Sequence, residues 1–126
     1  FRVVNYGQFY QAEYFKLLDQ SKFEIYLSES ESQGLAMFEA WVRGVPTFVW
    51  EKGVYESEGV RVSGKISAPF LEKISGSYFL DENDFILKFN EFINVKYEPR
   101  EFVKANFTNK AAAEKYLDIY HDKKII

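Results

Sequence analysis

Two carboxylates eight positions apart, Glu31 and Glu39, bracket the stretch of sequence whose residue types point most clearly to chemistry. It reads Glu31-Ser-Gln-Gly-Leu-Ala-Met-Phe-Glu-Ala-Trp-Val-Arg-Gly-Val-Pro46. An apolar run opens at Gly34 and Leu35 and stops at Gly44 and Pro46. The stop is chemically legible: Arg43 suits a last helical turn, Gly44 a left-handed position just past it, and Pro46 cannot continue the helix. At the start, Ser30 or Ser32 can cap, and Gly34 lets a ligand come close to the backbone. Free N–H groups and a partial positive charge at such a helix end suit phosphate. Glu31 then sits in the loop before that end, and Glu39 sits roughly 7–8 Å beyond the first turn, at ~1.5 Å per residue.

An anion on the helix end thus has one carboxylate on each side, and carboxylates are good acceptors for sugar hydroxyls. A nucleotide diphosphate sugar has that layout, with its diphosphate in the middle and polyols at both ends. Taken singly, each residue also has an ordinary explanation. Glu31 is a loop acid favoured by a helix dipole. Glu39 is a helix acid, although its neighbours Phe38, Ala40 and Trp41 leave a carboxylate there in need of partners. Gly34 and Leu35 are a helix start, with Ser32 and Gln33 just before it. Gly7, Gln8 and Phe9 are a strand-to-helix turn.

The elements that must position these residues alternate. Val3–Tyr6 is a short apolar run before Gly7 and predicts a strand. Phe9 to Asp19 carries Tyr14, Leu17 and Leu18 at helical spacing and is broken by Ser21-Lys22. Phe23–Leu27 predicts a strand buried on both faces. The central helix has Leu35, Phe38 and Val42 on one side and Met37 and Trp41 on another, so it is apolar almost all round and expected to be buried. Val45–Trp50 is the next buried strand. Glu51 to Gly64 holds three glycines, with Val60 to Val62 as a candidate edge strand. Ala68 to Ile74 predicts a short helix with Pro69 early in it, and Ser77–Leu80 a short strand. Asp81 caps a helix striped with Phe85, Phe89, Phe92 and Ile93. Pro99 to Ala105 is helical, and Thr108 caps a last helix with Ala112, Tyr116, Ile119 and Tyr120 inward, before a frayed tail from His121. Alternating strands and helices imply an α/β sandwich on a mostly parallel sheet with right-handed crossovers. Ligands then bind beyond the carboxyl ends of the strands, where the loops at Gly7–Phe9 and Glu29–Gly34 face one another.

The string Glu31-x7-Glu39, with Gly34-Leu35 inside it and Glu39-Ala40 followed by Gly44-Val45-Pro46, resembles the Glu-x7-Glu signature of retaining GT-B glycosyltransferases, the group of glycogen and sucrose synthases. Val3-Val4-Asn5-Tyr6-Gly7 resembles the preceding strand and its glycine. Ser67 to Leu71, Gly76 and Asp81 to Phe85 resemble the later part of the same domain. The resemblance implies a Rossmann-like three-layer sandwich, with residues 1–126 forming part of a C-terminal nucleotide-sugar-binding domain. It implies that Glu31 meets the donor sugar and supports positive charge developing at the anomeric carbon. It implies that Glu39 takes ribose hydroxyls, that the amides of Gly34 and Leu35 hold the diphosphate with help from Ser32 and Gln33, and that the base lies near Gly7. The implied parent enzyme transfers a sugar from the donor to the hydroxyl of an acceptor glycan, lipid or protein, without a metal or other cofactor. The basic pair that such enzymes place against the diphosphate, and their facing N-terminal domain, are expected upstream of Phe1. Phe1 is not a methionine and Arg2 to Asn5 is already strand-like, so a longer parent protein is expected, and weak donor binding without turnover from these residues alone.

Composition narrows the alternatives. Formal net charge is −3 with Lys and Arg scattered, which gives no electrostatic footprint for nucleic acid. There is no cysteine, hence no disulfide and no thiolate metal site. No Asp-x-Asp occurs, which argues against the metal-dependent GT-A type of transferase. The acidic residues Asp81, Glu82 and Asp84 read as a helix start and not a metal site. His121, the single histidine, reads as a tail residue, and Asn106-Phe107-Thr108 as a helix boundary and not a glycosylated sequon. No run approaches the ~20 apolar residues that span a bilayer. A cytoplasmic protein is the expectation, with membrane association only through other segments. Two further readings compete: a noncatalytic α/β nucleotide-binding or interaction module, and a flavodoxin-like receiver domain, against which the lack of an Asp cluster at early strand ends counts.

Overall fold

The computed structural model describes residues 1–5 and 7–122. In chain order the elements are α1 (Gln11–Asp19), β1 (Glu24–Leu27), α2 (Leu35–Val42), β2 (Thr47–Trp50), β3 (Val54–Ser57), β4 (Val60–Ser63), β5 (Gly76–Phe79), α3 (Glu82–Asn94), α4 (Pro99–Asn106) and α5 (Asn109–Asp122). The fold is mixed α/β. Its main sheet has three parallel strands in the order β1-β2-β5. Glu24 stands opposite Thr47, and Thr47 opposite Gly76. Gly76 is required by this pairing: a Cβ there would lie 2.0 Å from the carbonyl oxygen of Thr47.

Period-two alternation divides the strands between two cores. Tyr26, Val49 and Tyr78 turn to one face, against Met37 and Trp41 of α2 and Phe102 and Val103 of α4. Ile25, Phe48, Trp50 and Phe79 turn to the other, against Phe85, Phe89 and Phe92 of α3. There the Phe48 and Phe92 rings stack with centroids 4.6 Å apart. Tyr14 and Leu18 of α1 pack on Ala40 of α2 and on Val45. Trp41, wholly buried, donates its indole N–H to Thr47 Oγ1 at 3.1 Å. Pro99 stands at the start of α4, where its missing N–H costs nothing. Asp81 caps α3 by accepting from the Asp84 N–H at 2.9 Å, and Thr108 accepts from the Ala111 N–H at 3.2 Å.

Several expectations are corrected. Residues 2–5 form no strand, and Tyr6 lies outside the described residues. The possible edge strand at Val60 to Val62 is β4, which pairs with β3 in a separate antiparallel hairpin. Glu58 (φ 51°) and Gly59 (φ 78°) turn it, both left-handed as a two-residue turn with two positive φ values needs. Residues 68–74 are turns and not a helix. The Ala68 carbonyl accepts from the Leu71 N–H and from the Tyr78 hydroxyl, so it does not enter an α-helical ladder. The helix α2 is buried along Met37, Ala40 and Trp41 only, and Leu35 (67%) and Val42 (52%) are exposed. Ile93 is likewise exposed at the margin of the α3 stripe. In α5 it is Ala111 that is buried, while Tyr116, Ile119 and Tyr120 face outward and Ala112 is exposed. His121 lies within α5, and 123–126, the rest of the expected tail, lie outside the described residues.

Candidate functional site

The site grows from the crossover between β1 and β2. The strand β1 ends at Leu27, a seven-residue loop follows, and α2 starts at Leu35. Gly34, in the left-handed conformation (φ 69°), is the N-cap, and no side chain caps α2. Ser30 and Ser32 are therefore not caps, contrary to expectation. Only glycine suits this position twice over: its φ is unfavourable for other residues, and a Cβ would meet Met37 Cε at 2.2 Å. Met37 and Phe38 both donate to the Gly34 carbonyl oxygen, at 3.0 and 3.3 Å. The N–H groups of Leu35 and Ala36 precede that ladder and are left for another acceptor. Gln33 and Leu35 are exposed beside them, and so is Ser32.

Both motif carboxylates are partly buried, and each is held by a neutral donor. The Tyr26 hydroxyl, on β1, donates to Glu31 Oε1 at 2.6 Å. The side-chain amide of Gln11, at the start of α1, donates to Glu39 Oε1. Among the described residues neither carboxylate is in an ion pair. Glu39 also acts electrostatically on Glu24 and Tyr14. Glu24 and Tyr26 share one face of β1, so both motif acids lie on the α2 side of the sheet. Gly7 (φ 74°) opens the turn before α1, with the Gln8 N–H on the Asn5 carbonyl oxygen at 3.1 Å, and is exposed. No contact joins it to the motif acids among the described residues. The loop reaches them through Gln11.

Sequence reasoning missed the residue that braces this loop. Glu51, 7% exposed at the end of β2, accepts from three backbone N–H groups: Gly53 at 2.9 Å, Ile66 at 2.7 Å and Ser67 at 2.8 Å. Such charge-assisted bonds make burial of a carboxylate tolerable. Residues 66–67, so fixed, hold the motif loop in turn. The Ile66 carbonyl accepts from the Glu31 N–H at 2.8 Å, and the Ser67 hydroxyl donates to the Ser28 carbonyl at 2.7 Å. A glutamate directly after an apolar strand was the available signal, but its partners lie 15 and 16 residues further on. Burial raises the phenol of Tyr78 on the same side of the sheet, and the charges of Glu51 and Glu72 add to that rise. At the rim, the Lys52 ammonium pairs with Glu29 at 2.8 Å and lowers its carboxyl.

A second polar group lies at the start of β1. Glu24 accepts from the Tyr14 hydroxyl at 2.7 Å through Oε1, and its Oε2 is buried with no hydrogen-bond partner. Desolvation pushes its carboxyl up to about 7; the Tyr14 bond pulls it down, and the charge of Glu39 adds to the rise. The same burial, with the charge and hydrogen bond of Glu24, raises the Tyr14 phenol. A cavity of about 500 Å³ lies beside this pair, lined among others by Arg2, Val4, Leu18, Lys22 and Phe23.

Among the described residues no cluster of His, Cys, Asp and Glu could hold a metal ion, and no helix is long and apolar enough to cross a membrane. Asp84 does not point to a cation site. It accepts from the Leu80 N–H at 2.9 Å and pairs with Lys88 at 2.8 Å. No protein-family model matches the chain, and neither does any curated protein or any solved structure.

Proposed function

We propose that the chain is the donor-binding part of a retaining GT-B glycosyltransferase, with a Rossmann-like fold, that takes its sugar from a nucleotide diphosphate. The observation that carries this reading is the arrangement at the start of α2. A left-handed glycine caps the helix, the N–H groups of Leu35 and Ala36 meet no acceptor among the described residues, and a partly buried carboxylate stands before and after it, each held by an uncharged donor. Uncharged donors matter because they fix a carboxylate without neutralising it. Oε2 of each acid is free, among the described residues, to accept from a hydroxyl.

In this reading the amides of Gly34, Leu35 and Ala36 stabilise the charge that grows on the diphosphate as the bond from the anomeric carbon to the phosphate oxygen breaks. Glu39 holds the ribose hydroxyls. Glu31, set by Tyr26, faces the sugar and supports the positive charge at the anomeric carbon, while the acceptor hydroxyl oxygen forms the new bond on the face the phosphate leaves and gives its proton to the departing phosphate oxygen. Gly34 makes the turn that starts the helix, and the exposed Ser32 and Gln33 line the loop beside the phosphates. A helix terminus contributes only ~0.3–1 kcal/mol to binding an exposed anion, so the affinity of these residues alone is expected to be low.

The test is differential. Calorimetric titration with nucleoside diphosphates and their sugar conjugates should show binding that Glu39→Ala weakens for both kinds of ligand. Glu31→Ala should weaken only the sugar conjugates and, in the complete enzyme, slow transfer. Equal behaviour of both variants and the unaltered protein would remove the assignment. Nucleotide binding with no discrimination between bare and sugar-bearing ligands would favour a noncatalytic nucleotide-binding module.

A further inference from the structure

The Tyr14 hydroxyl has one proton and two acceptors within reach. Glu24 Oε1 lies at 2.7 Å on β1, and the Ala36 carbonyl oxygen at 3.3 Å in the first turn of α2. It cannot donate fully to both. When Glu24 carries a proton on Oε1, the carboxyl donates to the phenol oxygen and the phenol donates onward to Ala36. When Glu24 is ionised, its carboxylate is the stronger acceptor and draws the phenolic proton to itself. The Ala36 carbonyl then loses that donor, and the buried, unpartnered Oε2 carries charge.

We propose that Glu24 and Tyr14 form a proton-controlled clasp on the first turn of α2, which holds that turn when Glu24 is protonated and releases it when Glu24 is ionised. The surroundings favour the protonated state. From α1 the facing titratable group is Tyr14 and from α2 it is Glu39, an acid; Tyr26, two positions along β1, acts on Tyr14. Arg2 and Lys22 line the adjoining cavity, but among the described residues no Lys, Arg or His pairs with Glu24. The cavity gives the departing proton a route to water. Desolvation lifts the Glu24 carboxyl to about 7, so the exchange falls near neutrality.

The consequence for ligands rests on the reading of α2 as the diphosphate site. Its first turn carries the amides of Leu35 and Ala36, and Glu39 lies one turn further on. Nucleoside diphosphate should therefore bind more tightly below the Glu24 transition than above it.

Carbon-13 NMR of the glutamate carboxyls in the whole chain, followed against pH with the backbone amides of residues 35–38, tests the clasp directly. The Glu24 carboxyl should titrate near 7 and not near the ordinary 4.5, and the α2 amides should shift with the same midpoint. Glu24→Gln should abolish the amide transition. Tyr14→Phe should keep a carboxyl transition, moved upward, and lose the amide response. A Glu24 carboxyl titrating near 4.5, or α2 amides that ignore it, would overturn the proposal even if both variants failed to fold, since both readings come from the unaltered protein. Titration with ADP, GDP and UDP on either side of the transition separates the two claims. No binding at any pH, with the NMR transitions present, removes the transferase reading and leaves the clasp. Equal binding at both pH values, with Glu39→Ala still weakening it, refutes control of the site and leaves that reading.

Discussion

The two faces of the three-stranded sheet are built to different rules. The α3 face is an aromatic seal, in which Phe48, Phe79, Phe85, Phe89 and Phe92 touch one another and no carboxylate is buried among them. The α2 side buries or half-buries Glu24, Glu31, Glu39, Glu51 and Tyr14. Carboxylates cost free energy to bury unless they are paired or hydrogen-bonded, and burial of apolar rings costs none of this. A chain that stacks phenylalanines so fully on one side has the means to do so on both. The polar side is thus where burial has been exchanged for something else, and each acid there acts locally. Glu51 ties a loop, Glu31 and Glu39 stand ready to accept, and Glu24 holds or releases a turn.

If the faces differ in this way, damage to them should differ in kind. The largest loss of stability should come from the sealed face. Phe48→Ala should cost about 3–5 kcal/mol in urea denaturation, while the fraction that stays folded keeps its nucleotide affinity. On the polar side, Glu51→Ala leaves three backbone N–H groups without an acceptor. It should cost on the order of 3 kcal/mol and loosen the Glu31 loop, seen as faster amide exchange at Glu31, Ile66 and Ser67.

Glu24 should make stability depend on pH, with a definite sign. Its carboxyl is raised on folding from 4.5 to about 7, so the folded chain binds more protons between those values. The stabilisation it gives is complete below pH 4.5 and is lost as pH rises through about 7. At ~1.4 kcal/mol per unit this amounts to at most ~3.5 kcal/mol. Glu24→Gln should flatten that part of the profile, and Phe48→Ala should leave its slope unchanged. The smallest effect is expected at Gly34→Ala, about 1–2 kcal/mol from the left-handed backbone and the contact with Met37. Its loss of nucleotide affinity should exceed what that modest destabilisation explains.

Much of the frame was legible in the sequence, because apolar period and stop signals are local. β1, α2, β2, β5, α3 and α4 fall close to where residue pattern puts them, and Gly34, Gly44, Asp81, Pro99 and Thr108 act where their chemistry suits. What escaped depends on distant partners. The brace at Glu51 needs residues 66–67, and Gln11, which holds Glu39, lies 28 positions away. Val3 to Asn5 has strand composition, but composition does not supply a ladder, and among the described residues the only strand paired with β1 is β2. In α5, helical spacing marks an apolar side without saying what covers it, and Tyr116, Ile119 and Tyr120 are exposed there.

The central claim is that the first amides of α2 and the two flanking acids form one binding surface. It is tested most directly by nitrogen-15 NMR during titration with ADP, GDP and UDP. At least one of these should shift the amides of residues 33–36 together with Glu31 and Glu39, and Glu39→Ala should suppress the response. Shifts that gather around the cavity beside Glu24 and Tyr14, or none from any of the three nucleotides, would contradict it.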